Sequence, residues 1–209
     1  AKPRRRDLSR LARRGSGSAT RSIYGGLVEW HAGNDDASSF AEPITEEVDF
    51  GLEMIAILLD TREKKVSSRA GMQEVVASSP YYPAWRQVVK EDMVKMKAAI
   101  AAKDIDRIGH LAQTNALRMH ALNLSADPGF TYFTGDTLKA MAVIDGLREA
   151  GLSCYYTMDA GPNVKVICDA KHEAQILAAL APHFGAENLA VAKPGPGVLE
   201  LTDERDSLI

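Results

Sequence analysis

No apolar run in these 209 residues approaches the roughly 18 that a membrane-crossing helix needs. Basic residues open the chain, and no apolar stretch follows them, so no secretory signal is expected. Cysteine is scarce. Cys154 and Cys168 are too few for a disulfide framework and lack metal-ligand spacing, so they read as reduced core thiols of a cytoplasmic protein. The five histidines (His31, His110, His120, His172 and His183) form no metal-binding spacing, and the helical His110 and His120 read as packing or surface residues. No glycine-rich loop leads into Gly-Lys-Ser/Thr, which excludes a Walker A loop. No Ser/His/Asp or reactive-cysteine signature, internal repeat or low-complexity stretch is present.

What is present suits a folded protein. Apolar residues make up 45% and charged residues 25%, an ordinary globular balance. The length fits one large domain or two small ones and is enough to bury a core. The net charge of −3 conceals an asymmetry. Residues 1–21 hold eight basic side chains against Asp7, a block of +7, and the remainder carries −10. Such a block reads as a solvated tail, a nucleic-acid arm or a site for a small polyanion. The arm reading is disfavoured by the acidic remainder and by the absence of aromatic residues among the first 21.

Periodicity predicts a helix over Asp7–Arg14, with Asp7 as its cap, and a second helical segment starting within 15–22 and ending near Gly25-Gly26. Leu27–Trp30 and Met54–Leu59 read as strands. Ala41–Phe50 reads as an edge segment or a domain crossing, and 64–69 as a loop. Helices are predicted over Gly71–Ser78, Trp85–Lys103, Ile105–Leu124 and Thr134–Glu149. Strands at Ser153–Met158 and Val164–Cys168, a helix over Lys171–Phe184 and a strand at Leu189–Ala192 complete the order, before the rigid turn Pro194-Gly195-Pro196-Gly197. This order predicts an α+β layer, with helices on one face of a small antiparallel sheet.

Three stretches can carry chemistry. In Arg13-Arg14-Gly15-Ser16-Gly17-Ser18-Ala19-Thr20-Arg21-Ser22, glycines admit an anion to the backbone, serines donate hydrogen bonds, and Arg21 lies one turn beyond Ser18. A following helix would add free N–H groups, and arginine suits bidentate binding of phosphate or carboxylate. The same stretch also reads as a flexible linker. Ser67-Ser68-Arg69-Ala70-Gly71-Met72 again sets hydroxyls, an arginine and a glycine before a helix, as a phosphate contact or simply a helix cap. Asp159 ends an apolar strand, where a carboxylate can act as a general base or only organise its turn.

Together these stretches resemble the mevalonate diphosphate decarboxylases, a branch of the GHMP kinase superfamily. The residues that carry the resemblance are Arg13-Arg14-Gly15-Ser16-Gly17-Ser18, Arg21-Ser22, Gly25-Gly26, Trp30, Ser67-Ser68-Arg69, Gly71-Met72, Asn115, Met119-His120-Ala121, Phe130-Thr131-Tyr132 and Tyr156-Thr157-Met158-Asp159-Ala160-Gly161-Pro162-Asn163. The likeness runs from about Asp7 to Leu201. It implies a GHMP kinase-like two-domain fold with a ferredoxin-like C-terminal domain. Residues 1–50 would be the rear of the N-terminal domain, 51–201 the C-terminal domain, and 202–209 a polar tail.

It also implies an enzyme of isoprenoid synthesis that uses ATP and Mg²⁺ to convert mevalonate diphosphate to isopentenyl diphosphate. Asp159 and Arg21 would be the catalytic residues. Ser16, Ser18, Arg69 and Met72 would contact substrate, and Ser67 and Ser68 the nucleotide phosphates. No protein residue is assigned to a metal. A cytoplasmic homodimer that binds neither nucleic acid nor membrane is expected. The family's Lys/Tyr motif and its loop over the ATP phosphates have no counterpart here, so the chain is expected to begin inside the N-terminal domain and to be inactive alone. The alternatives are a related GHMP kinase, a mevalonate-phosphate decarboxylase and a non-catalytic fragment.

Overall fold

The computed structural model describes residues 4–60 and 66–199. Among these, 4–50 with 194–199 form one compact unit and 51–193 the other.

The first unit begins with α1 (Arg5–Gly15). Its cap residue is Arg4 rather than the expected Asp7. Arginine is a good helix former, so the basic run itself is helical and the helix starts earlier. Asp7 falls in the first turn, where it accepts from Arg4 Nε at 3.1 Å. No second α-helix follows; Ser18–Thr20 is a single 3₁₀ turn, and successive turns close from Arg21 N to Ser18 O and from Tyr24 N to Arg21 O. Thr20 explains this, because its hydroxyl is drawn inward onto Ser9, bonding Ser9 Oγ at 2.7 Å and Ser9 O at 2.8 Å. Ser9 Oγ also accepts from Ala41 N at 2.8 Å. That buried knot of hydroxyls joins α1, the turn and the second strand. β1 (Leu27–Trp30) pairs antiparallel with β2 (Ala41–Thr45), so the first half of the stretch read as an edge segment or a domain crossing is an edge strand.

The second unit is the expected ferredoxin-like arrangement. Its strands are β3 (Leu52–Ile57), β4 (Cys154–Thr157), β5 (Val164–Asp169) and β6 (Leu189–Ala192). They lie in the antiparallel order β4-β5-β3-β6. The helices are α2 (Ser68–Ser78), α3 (Tyr82–Ala101), α4 (Ile105–Leu124), α5 (Gly135–Glu149) and α6 (Glu173–Phe184), the last entered through a 3₁₀ turn at Ala170–His172. The first four helices form the crossover from β3 to β4, and α6 connects β5 to β6, giving an expanded β-α-β-β-α-β unit.

Alternation places Ile55, Ile57, Cys154, Tyr156, Val164, Val166 and Cys168 in one core with Ala140 and Ile144 of α5 and Ile176 and Leu180 of α6. Helix α4 guards the β4 edge: Gln113 Oε1 accepts from Tyr156 N at 3.2 Å, and Gly109 lies where a Cβ would strike the Tyr155 ring at 2.2 Å. No described helix is long and apolar enough to cross a membrane.

After Lys193 the chain returns to the first unit, where Gly26 N donates to Gly195 O at 3.0 Å and Val198 N to Ile23 O at 3.4 Å.

Candidate active site

The candidate residues fall in both units. In the first, the basic block is largely spent on carboxylates. Arg10 and Arg13 each reach Asp36 at 2.6 Å, and Arg14 reaches it at 3.4 Å. The Arg10 guanidinium holds the Asp36 carboxyl below the usual range. Arg5 pairs with Glu46 and lies over the Tyr24 ring, Arg4 pairs with Asp7, and Arg6 covers Phe40 and donates to Ala37 O. Among the described residues, Arg21 pairs with no carboxylate. It lines a cavity of about 390 Å³ with Ser22, Tyr24, Gly26, Leu27, Val28, Gly195 and Pro196.

The backbone makes this cavity possible. Gly26 has φ +65°, and a Cβ there would lie 2.3 Å from Thr45 O. At Gly25 a Cβ would lie 2.8 Å from Gly195 O, so the Pro194–Gly197 segment packs backbone to backbone as the wall. Ser16 and Ser18 are exposed, their hydroxyls 3.1 Å apart. With no α-helix after them, the expected free N–H groups and helix dipole are missing from this stretch. The two hydroxyls and the Arg21 guanidinium remain as the side-chain donors of this stretch.

In the second unit the other two stretches meet around Tyr132. Its hydroxyl donates to Ser67 O at 3.3 Å and sits where a Gly71 Cβ would be, at 2.5 Å. Its own Cβ lies 3.3 Å from the position a Cβ would take on Gly161. One aromatic side chain therefore touches both the start of α2 and the turn that carries Asp159. Ser67 is the cap of α2, its Oγ accepting from Ala70 N at 3.2 Å. Ser68, Arg69 and Met72 are exposed on the first turns, where the leading N–H groups of a helix have no partner within it. Of the loop expected over 64–69, residues 64 and 65 lie outside the described residues, and Ser68 and Arg69 are already helical.

Asp159 follows β4 in a turn fastened by other residues. Asn163 Oδ1 accepts from Leu59 N at 2.8 Å and Asp60 N at 3.0 Å, tying the turn to the end of β3. Thr137 Oγ1, within the capping box of α5, donates to Pro162 O at 3.0 Å. His120 Nε2 lies 2.9 Å from Asp159 O. Burial lowers the His120 pKa, which favours the neutral ring and an Nε2–H donor to that carbonyl. The ring stacks on Phe133 at 4.5 Å. His120 is thus more than the packing or surface residue expected. Its signal in the sequence was its place among the stretches that carry the resemblance. With the turn held elsewhere, the Asp159 carboxylate is 79% exposed and ion-pairs with Lys165 of β5. Both cysteines are free and buried, as expected.

Comparison with known proteins adds a family. The model of the mevalonate 5-diphosphate decarboxylase C-terminal domain matches residues 54–203, and that of the diphosphomevalonate decarboxylase-like N-terminal domain matches residues 1–41. The chain is 32% identical to the diphosphomevalonate decarboxylase of Candida albicans over 184 residues, which is 86% of this chain and 51% of that protein. It is 42% identical to the crystal structure of mevalonate diphosphate decarboxylase from Staphylococcus aureus, with a TM-score of 0.88 over 93% of this chain and 60% of that one. A structure described as MDDEF in complex with MVAPP, AMPPCP and magnesium is 45% identical, with a TM-score of 0.89 over 94% of this chain and 60% of that one. The chain spans about half the length of the curated relatives it matches.

Proposed function

The chain belongs to the mevalonate diphosphate decarboxylase family, and we propose that it contributes the carboxylate clamp and the hydroxyl base of an ATP-dependent decarboxylation. The reaction converts mevalonate diphosphate to isopentenyl diphosphate and releases ADP, phosphate and CO₂. The observation that carries this reading is Arg21, the arginine of the basic block that faces a cavity while five others pair with acids. A kinase of a hydroxyl substrate needs no such clamp; a decarboxylase does.

Arg21 holds the substrate carboxylate in two hydrogen bonds, so that its C–C bond is aligned to break. Orientation is the useful contribution, because tight binding of the carboxylate in the ground state would raise the barrier. Asp159 accepts the proton of the tertiary hydroxyl as that oxygen attacks phosphorus. Lys165 orients its carboxylate, and the His120 bond to the Asp159 carbonyl fixes the turn beneath it. In the same reading Ser16 and Ser18 donate to the substrate, Arg69 supplies a charge and Met72 an apolar wall.

The donors at the start of α2 suit phosphate oxygens. Ser68 and the helix N–H groups face outward for the nucleotide, whereas Ser67 is engaged as the cap and contributes by shaping that end. Magnesium accompanies an ATP analogue in the MDDEF structure; here it would screen the phosphates, with no side chain of this chain assigned to it. A cytoplasmic homodimer belongs to the same reading, and sedimentation of the purified chain tests the dimer.

The deciding experiment follows ADP and isopentenyl diphosphate formed from ATP and mevalonate diphosphate, for this chain beside a full-length relative. In whichever protein turns over, Asp159→Asn or its equivalent should lower kcat by about 10²–10⁴-fold with substrate affinity nearly unchanged. Turnover that survives the substitution removes Asp159 from the base role.

A further inference from the structure

We propose a divalent metal site of zinc type on the β1–β2 sheet, formed by Glu29, His31 and Glu42 and separate from the residues assigned to the reaction. The sheet register builds it. Glu29 stands directly opposite Glu42, and the ladder continues with His31 N donating to Phe40 O at 2.9 Å, so residues 29, 31, 40 and 42 share one face. Two glutamates directly opposed across strands repel each other, and a cation shared between them relieves that repulsion.

The imidazole of His31 lies between the two carboxylates, Nε2 at 2.7 Å from Glu42 Oε1 and Nδ1 at 3.8 Å from Glu29 Oε1. Its ring rests against Phe40, centroids 5.1 Å apart. One candidate ligand atom from each of the three residues lies within 4.8 Å of the other two. Ligands bound to one zinc at roughly 2.0–2.2 Å stand at most about 4.4 Å apart, so small side-chain movements close the set.

One imidazole with two carboxylates suits zinc and its neighbours; magnesium prefers oxygen donors throughout. Three protein ligands leave a position for water. The alternative is His31 bridging the two glutamates with no metal. Spacing along the chain hid the site, because Glu42 is eleven residues beyond His31 and joins it only through strand pairing. A bound ion would cross-link β1 to β2 across the 31–40 loop and stabilise the native state by mass action.

The test titrates the untagged, folded chain with Zn²⁺ by calorimetry, with Co²⁺ by visible absorption, and follows thermal unfolding with and without Zn²⁺. One equivalent of Zn²⁺ should bind and raise the unfolding midpoint. His31→Ala and Glu42→Gln should each weaken binding by about a hundredfold or more, beyond the roughly 10–100-fold cost of losing a supporting hydrogen bond. If circular dichroism shows that His31→Ala fails to fold, the exposed Glu42→Gln decides. Absence of stoichiometric binding, or binding unchanged in the folded variants, overturns the site and leaves only the histidine bridge.

Discussion

In the smaller unit, Ala41 is the one hydrophobic side chain buried among the described residues, beside Ser9, Thr20 and Ser39. Its α1, turns and sheet are joined by hydroxyls and by arginine–carboxylate pairs on Asp36 and Glu46. In the larger unit the balance reverses: isoleucine, valine and leucine from three strands and two helices close over one another. Directional bonds specify a shape sharply but stabilise it modestly, about 0.5–1.5 kcal/mol each net. Apolar volume stabilises more, with less insistence on any one partner. The cavity-lining Arg21 sits in the unit where charge is already abundant and paired, so its lack of a carboxylate partner among the described residues stands out.

Three experiments set the two kinds of unit against each other. The largest effect is expected in the apolar core. Ile144→Ala, at a fully buried site between α5 and the sheet, should cost about 2–5 kcal/mol in urea unfolding; a loss under about 1 kcal/mol would mean the core collapses easily around the gap. Next comes Ser9→Ala, which strands Ala41 N and a Thr20 hydroxyl contact in a buried place and should cost about 1–3 kcal/mol. If it were neutral, the smaller unit would not rest on its hydroxyl knot.

The mildest expectation concerns the thiols. Burial pushes Cys154 up to about 11 and Cys168 up to about 12. At pH 8 both stay protonated in the native protein and should react with a disulfide reagent only after urea exposes them. From the free-thiol value of about 8.5 upward, the unfolded chain releases protons that the native one keeps, so stability should fall as pH rises there. Fast labelling of the folded protein would show that the larger core opens more readily than its packing implies.

The larger unit was the more readable from sequence. Helix α4 runs over Ile105–Leu124 as its period indicated, because Asp104 caps it through Arg107 N and its buried positions recur at helical spacing. Strands β4, β5 and β6 were visible as short apolar runs bounded by turns. The smaller unit misled where tertiary bonds decide. The stretch after Gly15 has small, helix-compatible residues, yet Thr20 bonds across eleven positions to Ser9 and holds it in turns. Asp159 could be found as a strand-end carboxylate. Its supports could not, because Asn163, Thr137 and His120 act on backbone atoms far away in sequence. Tyr132 joins two of the site stretches only in three dimensions.

The pairing of β3 with β6 has a consequence for chain entropy. The chain enters the larger unit just before Leu52 and leaves it just after Ala192, and these ends lie side by side, with Met54 opposite Ala192 and Lys193 bonded to Glu53 at 2.8 Å. For the smaller unit, the long stretch from Gly51 to Lys193 therefore behaves as a very short loop once it has folded. Loop closure is then almost free, whereas an unfolded connection of that length would carry its full entropic cost. The wall at Gly195 and Pro196 thus follows in the chain directly after the last strand of the other unit. Pulsed hydrogen exchange during refolding should show β3 and β6 protected before Gly26; the reverse order would mean that the smaller unit gathers its own ends.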